Sequence, residues 1–151
     1  MKPFFTFVLL IMLIGCGESE NPPVVGVESG DSEMNSAIAK AQETLEHFFA
    51  NYQSMPNDGY SLKFRMPTPD GEGEHIWFNP VEVSGDTVTA QCANEPMQIP
   101  DLKAGDTRVL SKSDITDWMI IAGSKCYGGY TIRVLAKRDS ANAPPFEFAD
   151  F

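Results

Sequence analysis

The chain has 151 residues, a formal net charge of −10 and 42% hydrophobic residues. That charge argues against nucleic acid, whose phosphates it repels, and against binding of anionic headgroups by a basic patch. The length suits one domain built around one hydrophobic core.

In chain order the first element is an export signal. Lys2 precedes an apolar run from Phe4 to Ile14, which closes on Leu13, Ile14, Gly15 and Cys16. The run is shorter than the roughly 20 residues a transmembrane helix requires, so residues 1–15 read as a secretory signal peptide. Leu13 to Cys16 resembles a lipobox, the pattern at which bacterial lipoprotein precursors are cut and acylated. The resemblance implies that Cys16 becomes the first residue and carries palmitate-type chains, making a lipid the membrane anchor. Each buried methylene contributes about 0.8 kcal/mol, so two or three chains anchor stably where one is marginal. Gly17 in place of an aspartate resembles the default pattern for the outer membrane, facing the periplasm, if the cell is Gram-negative. The competing reading is an ordinary signal peptide with a cysteine beside the cut.

Residues 16–31 are rich in Glu, Ser, Gly and Pro and hold no basic residue. Such a segment buries too little apolar surface to offset its chain entropy and reads as a flexible acidic tether. Order is expected near Ser32, a candidate N-cap. Met34, Ile38, Ala41, Leu45, Phe48, Phe49 and Tyr52 then follow helical spacing on one face, which predicts a single amphipathic helix of about 20 residues. Pro56 and Gly59 mark its end.

The period then changes to two. Tyr60, Leu62, Phe64 and Met66 alternate with Ser61, Lys63 and Arg65, the pattern of a half-buried strand. A turn over "TPDGEG", a second strand "EHIWFNPVEV" bent at Pro80, a hairpin at Gly85 and Asp86 and a third strand "TVTAQCA" imply antiparallel pairing. "DTRVL" and "DWMIIAG" are shorter strand candidates flanking a turn or brief helical piece, "SKSDI". Residues 130–137 fit either a strand or a helix opening after Gly128 and Gly129, with a lean to helix. The expected fold is α+β, a single domain over residues 32–139. It is one long N-terminal helix packed on a mainly antiparallel sheet of four or five strands, with a short C-terminal element. Residues 140–151 form a tail with Pro144 and Pro145 followed by Phe146, Phe148 and Phe151. The tail either docks on the sheet or pairs a sheet edge with a partner.

Cys92 and Cys126 remain once Cys16 is set aside. In an oxidising compartment they could form a disulfide contributing roughly 4 kcal/mol. The other reading is two buried thiols too far apart to bond, and the sequence does not decide between them.

"EMNSAIAKAQETL", "EHIWF", "NEP", Gly105 with Asp106, "DITDWM" and "GGYTIRVL" resemble, in order and spacing, the bacterial family called domain of unknown function 2314, the YegJ-like proteins. The resemblance runs from about Asp31 to Lys137. It implies no catalytic residues, because the family's activity is unassigned. Cys92 and Cys126 depart from the family pattern, which more often has aliphatic residues there, so a bridge between them implies adaptation to export.

The residues offer few chemical constellations. The backbone N–H groups of Gly128, Gly129 and Tyr130, the Thr131 hydroxyl and the Arg133 guanidinium could surround a phosphate or carboxylate if a helix starts there. The structural alternative is a glycine turn with Arg133 paired to Asp117, the carboxylate beside Trp118. Trp77 and His75 share a strand face, whereas Glu74 beside His75 points the other way, against an acid–base pair. There is no zinc spacing, calcium loop or GxSxG elbow, and no cofactor or metal is expected. The function expected is therefore an envelope-associated binding or interaction module, with an envelope protein or peptide as its partner. The alternative is a small hydrolase or anion-binding protein using Asp117, Thr131 and Arg133.

Overall fold

The computed structural model of the protein describes residues 30–151. The signal peptide, the lipobox, Cys16 and the tether up to residue 29 lie outside the described residues.

The predicted single helix is two. Helix α1 spans Ser32–Glu43 and α2 spans Leu45–Asn51. The N-cap is Asp31, one residue before the expected Ser32, and its side chain accepts from the Met34 N–H. The break falls at Thr44, with φ −101° and ψ 8°. Two contacts account for it. The Thr44 hydroxyl donates back to the Lys40 carbonyl at 2.8 Å, a local bond that competes with the helix ladder. The Trp118 indole N–H, from a strand beneath, donates to the Ala41 carbonyl at 3.1 Å and so takes an acceptor the next turn would use. Periodicity reports the buried face and carries no trace of this tertiary donor.

The sheet has seven strands, against the four or five expected. They are β1 (Gly59–Met66), β2 (Glu74–Ser84), β3 (Thr87–Cys92), β4 (Thr107–Ser111), β5 (Ile115–Ala122), β6 (Lys125–Gly128) and β7 (Glu147–Ala149). Their spatial order is β4-β3-β2-β1-β5-β6-β7. Every pairing is antiparallel except β6 with β7, which is parallel. The two unforeseen strands are the shortest: β6 has four residues and β7 three, too few for an alternation to register. The bend at Pro80 is a register shift between Pro80 and Glu82 where β2 meets β3. "SKSDI" supplies a short 3-10 turn over Lys112–Asp114. "GGYTIRVL" opens helix α3 (Tyr130–Arg138), in line with the leaning from sequence.

The core lies between α1, α2 and one face of the sheet. Ala41, Phe48 and Tyr52 meet Leu62, Phe64, Ile76, Phe78, Trp118 and Ile120. At about 25 cal/mol per Å² of apolar surface, this layer is what makes the fold stable against chain entropy. Helix α3 lies beside α1, where Val134 packs on Met34 and Ala37. Arg138 at the end of α3 bonds to Asp31 and Glu33 at the start of α1, holding the two helix ends together. The opposite sheet face is the polar one, with His75, Asn79 and Gln91 exposed.

Cys92 and Cys126 are both buried free thiols, so the disulfide is not formed. They sit on β3 and β6, four strand spacings apart in the sheet order, roughly 19 Å at about 4.8 Å per spacing. A disulfide tolerates a Cα separation of only about 7 Å.

Candidate functional site: a buried lysine and aspartate on the polar sheet face

The polar face has a cross-strand row running through three adjacent strands. Lys63 on β1 stands opposite Trp77 on β2 and opposite Asp117 on β5. Residues directly opposite in a ladder share a face, so the alternation that points Leu62 and Phe64 into the core brings these three together on the other side.

Lys63 is only 9% exposed and Asp117 fully buried, unusual for charged groups without a function or a partner. The Lys63 ammonium lies 4.7 Å from the centre of the Trp77 ring, within cation–π range. It donates to the Thr131 hydroxyl oxygen at 2.8 Å. The Thr131 hydroxyl in turn donates to Asp117 Oδ2 at 2.5 Å, so threonine links the two charges. Asp117 also accepts from the N–H groups of Trp118 at 2.8 Å, Tyr130 at 3.1 Å and Thr131 at 2.8 Å. Both of its oxygens are thus fully used as acceptors, the geometry of an ionised carboxylate. Burial pushes the Asp117 pKa up, countered by Lys63 and these donors, and pushes the Lys63 pKa down, countered by Asp117.

These bonds answer the question raised by the two glycines. Gly129, with φ 63°, is the N-cap position of α3 and offers no side chain. Asp117 reaches in from β5 to take the exposed N–H groups of the first turn, which a capping residue or an outside anion would otherwise take. The anion cradle is real, and the protein's own carboxylate fills it. Gly128 is obligatory for a different reason: a Cβ there would lie 2.3 Å from the Trp118 carbonyl oxygen.

The Arg133–Asp117 pair anticipated as the structural alternative is absent. Arg133 Nε donates to the Gly128 carbonyl at 3.0 Å, and its Nη2 donates to the Ala149 carbonyl at 2.7 Å and to Asp150 at 2.9 Å. Thr131 and Arg133 are two positions apart on α3, about half a helical turn, which aims the guanidinium away from Asp117 and toward β7. Of the residues singled out from sequence, Trp77, Asp117 and Thr131 therefore form one constellation, while Gly128 and Gly129 shape its backbone. Trp118 faces the core on the other side of the sheet and caps the break between α1 and α2. Lys63, the centre of the row, was missed because a lysine at an outward position of a half-buried strand reads as solvated. The one sequence signal for it is that Lys63 and Arg65 share a strand face that otherwise carries no charge on β1.

The next rows extend the face. Ser61 donates to the Asn79 side-chain oxygen at 2.6 Å. The open cleft there is lined by Tyr60, Ser61, Asn79, Pro80, Met119 and Ile121. On the other flank His75 Nδ1 lies 2.9 Å from the Thr116 hydroxyl. Desolvation, then the charges of Lys63 and Arg65, lower the His75 pKa to about 4. Glu74 points the opposite way, as alternation requires, and accepts the N–H groups of Met97 and Gln98. It is a loop anchor and no partner for His75.

As chemistry, Lys63 beside Thr131 has the spacing of a base and a hydroxyl nucleophile. The hydroxyl is 2% exposed and its proton goes to Asp117, so no substrate carbonyl reaches it. Among the described residues no cluster of three or more His, Cys, Asp or Glu could hold a metal.

Comparison with known proteins agrees with the motifs. Over 133 residues the chain is 29% identical to the uncharacterized protein YegJ of Escherichia coli K12, covering 87% of this chain and 86% of that one. It is 25% identical over 118 residues to a putative ankyrin repeat protein of Neisseria meningitidis serogroup B, covering 72% of this chain and 47% of that protein. No solved structure matches significantly. Residues 31–144 match the family described as uncharacterized protein conserved in bacteria, and the chain belongs to this family, DUF2314.

Proposed function

We propose that the protein is an envelope lipoprotein, acylated at Cys16, whose domain is a binding module that presents its polar sheet face to a ligand or partner. The observation that carries the binding reading is the row Trp77–Lys63–Asp117. It sets a half-buried tryptophan over a nearly buried ammonium, next to a cleft with Ser61, Asn79 and Met119. Such a combination of apolar walls with a few fixed polar groups is the usual character of a small-molecule or peptide site. An interaction role is favoured over hydrolysis because, among the described residues, the threonines beside the two candidate bases, Thr131 at Lys63 and Thr116 at His75, are both buried.

The anchor rests on the Leu13–Cys16 pattern and on charge. A domain this acidic has little electrostatic attraction to a membrane surface, and among the described residues no helix is long and apolar enough to cross one. Two experiments test the two halves. Cys16→Ala is expected to move the protein from the membrane fraction to the soluble one. Unchanged fractionation and an unacylated wild-type amino terminus would overturn the anchor. A photo-crosslinking residue at Met119, compared with one at the exposed Gln53, is expected to yield a discrete adduct in native envelopes that Trp77→Ala weakens. Equal labelling from both positions would sink the binding face.

A further inference from the structure

The family match ends at residue 144, so β7 and the residues after it lie beyond the matched segment. Without them β6 is the edge of the sheet, since β7 pairs with β6 alone. An exposed strand edge is a template for an added strand.

Residues 146–151 occupy that edge with a defined chemistry. The Glu147 N–H donates to the Ser124 carbonyl at 2.8 Å, and Lys125, Cys126 and Tyr127 pair in parallel with Glu147, Phe148 and Ala149. Phe148 is opposite Cys126 and Phe151 stacks on Tyr127 at 4.6 Å, so the two rings grip the edge from opposite faces. Phe151 also stacks 5.8 Å from His47 and 6.2 Å from Trp118. Where β6 ends, Arg133 continues the ladder with a side chain: it holds the Gly128 carbonyl, the Ala149 carbonyl and the Asp150 carboxylate. Its guanidinium lies 4.7 Å from the Tyr130 ring centre and 5.5 Å from that of Phe148. A planar fork that reads a peptide carbonyl and an acid together, stacked between aromatic rings, is a peptide-recognition arrangement. The seat is a light one, with Phe151 still 51% exposed and Pro144 and Pro145 as the connection.

We propose that the β6 edge, with Arg133 and the Tyr127–Trp118 aromatic patch, is a docking site for an extended segment of another protein, and that residues 146–151 occupy it in cis as the resident competitor. The partner segment carries an aromatic residue, an acid two positions on and a second aromatic after it, the pattern of Phe148, Asp150 and Phe151. Its docking displaces the tail. This surface is separate from the polar face around Lys63, and the two stand or fall independently.

The test titrates the full chain calorimetrically with the synthetic hexapeptide of residues 146–151. Wild type is expected to bind it weakly, because the tethered copy competes at high effective concentration. The F148A/F151A chain, whose own tail is released, is expected to bind on the order of 100-fold more tightly. Adding Arg133→Met to that variant is expected to weaken binding roughly tenfold or more. A folded F148A/F151A chain that takes up no peptide overturns the proposal, as does one whose binding ignores Arg133→Met. If the double variant loses its folded baseline, F151A alone is titrated against the same criteria. Light scattering adds a further outcome: dimers that exchange tails and resist excess peptide would assign the surface to a second copy and also overturn the proposal.

Discussion

Lys63 Nζ and Thr131 Oγ1 are 68 positions apart in the chain and 2.8 Å apart in the fold, and through that one hydroxyl a central strand is tied to the start of a helix. Thr131 accepts from the lysine and donates to Asp117, so the ammonium and carboxylate share a partner. The arrangement resolves two costs of burial at once. The α3 N–H groups gain an acceptor, and a lysine whose charge burial disfavours gains an opposite charge nearby.

Removing both charges of this set should cost less than the sum of removing each alone. Asp117→Ala strands the N–H groups of Trp118, Tyr130 and Thr131 and leaves Lys63 without its counter-charge, an expected loss of about 3–5 kcal/mol. Lys63→Met removes a charge that burial penalises and leaves the Asp117 donors in place, so its loss is smaller. In urea unfolding the double variant Lys63→Met with Asp117→Asn is expected to be more stable than the sum of its singles predicts, by on the order of 1 kcal/mol. Strict additivity would mean that Thr131 does not couple the two.

The glycine pair separates into a strict position and a tolerant one. At Gly128 a Cβ would meet the Trp118 carbonyl oxygen at 2.3 Å with φ 74°, whereas at Gly129 its nearest neighbour would be Cys126 Sγ at 3.2 Å with φ 63°. Gly128→Ala is expected to lose about 3 kcal/mol or more, and Gly129→Ala about 1–2 kcal/mol from the left-handed backbone. Unfolding midpoints of the two alanine variants check the order, and equal midpoints would contradict the close approach.

His75 should leave a signature in pH. As a residue it is exposed, yet its Nδ1 is turned inward to Thr116, so desolvation acts on one side of the ring. Its folded pKa is lowered from 6.5 to about 4, first by desolvation and then by Lys63 and Arg65. The unfolded chain therefore binds the proton more readily. The contribution is fully present above pH 6.5 and lost as pH falls toward 4. Melting temperatures of wild type and His75→Gln across that window should differ in slope, with the variant flatter. Solvent screening keeps the difference small. Parallel curves would remove His75 from the acid response.

The two thiols give a chemical check on the strand order. Cys92 and Cys126 are buried, and burial raises both pKa values, that of Cys126 to about 11. Both should resist an aromatic disulfide reagent in the folded protein and react together on denaturation. Reductant should leave the melting temperature unchanged. A shift on reduction would mean a bridge and hence a different sheet order.

Much of this architecture is local and so was legible. The amphipathic face of residues 34–52, the alternation of β1, the hairpin at Gly85 and the helix after Gly129 each depend on neighbours within a few positions. The break at Thr44 was not legible, because its cause is an indole 74 residues away. Strands β6 and β7 were not legible either: each is too short to show a period, and β7 exists only because β6 presents an edge. Among the site residues, Trp77, Asp117 and Thr131 could be named as suspects, but their partner Lys63 could not. An outward lysine on a strand looks solvated until the strands on both sides are known.

From its residues alone the chain determined an acidic α+β fold of a recognisable family, because composition, periodicity and turn chemistry act at short range. Only the tertiary structure decided that the anion at the α3 N-terminus is Asp117, that Arg133 serves the β7 segment instead, and that the two thiols never meet. Those outcomes turn on strand order, a long-range property, and hydrogen bonds and charges act only across the few ångströms that strand order sets.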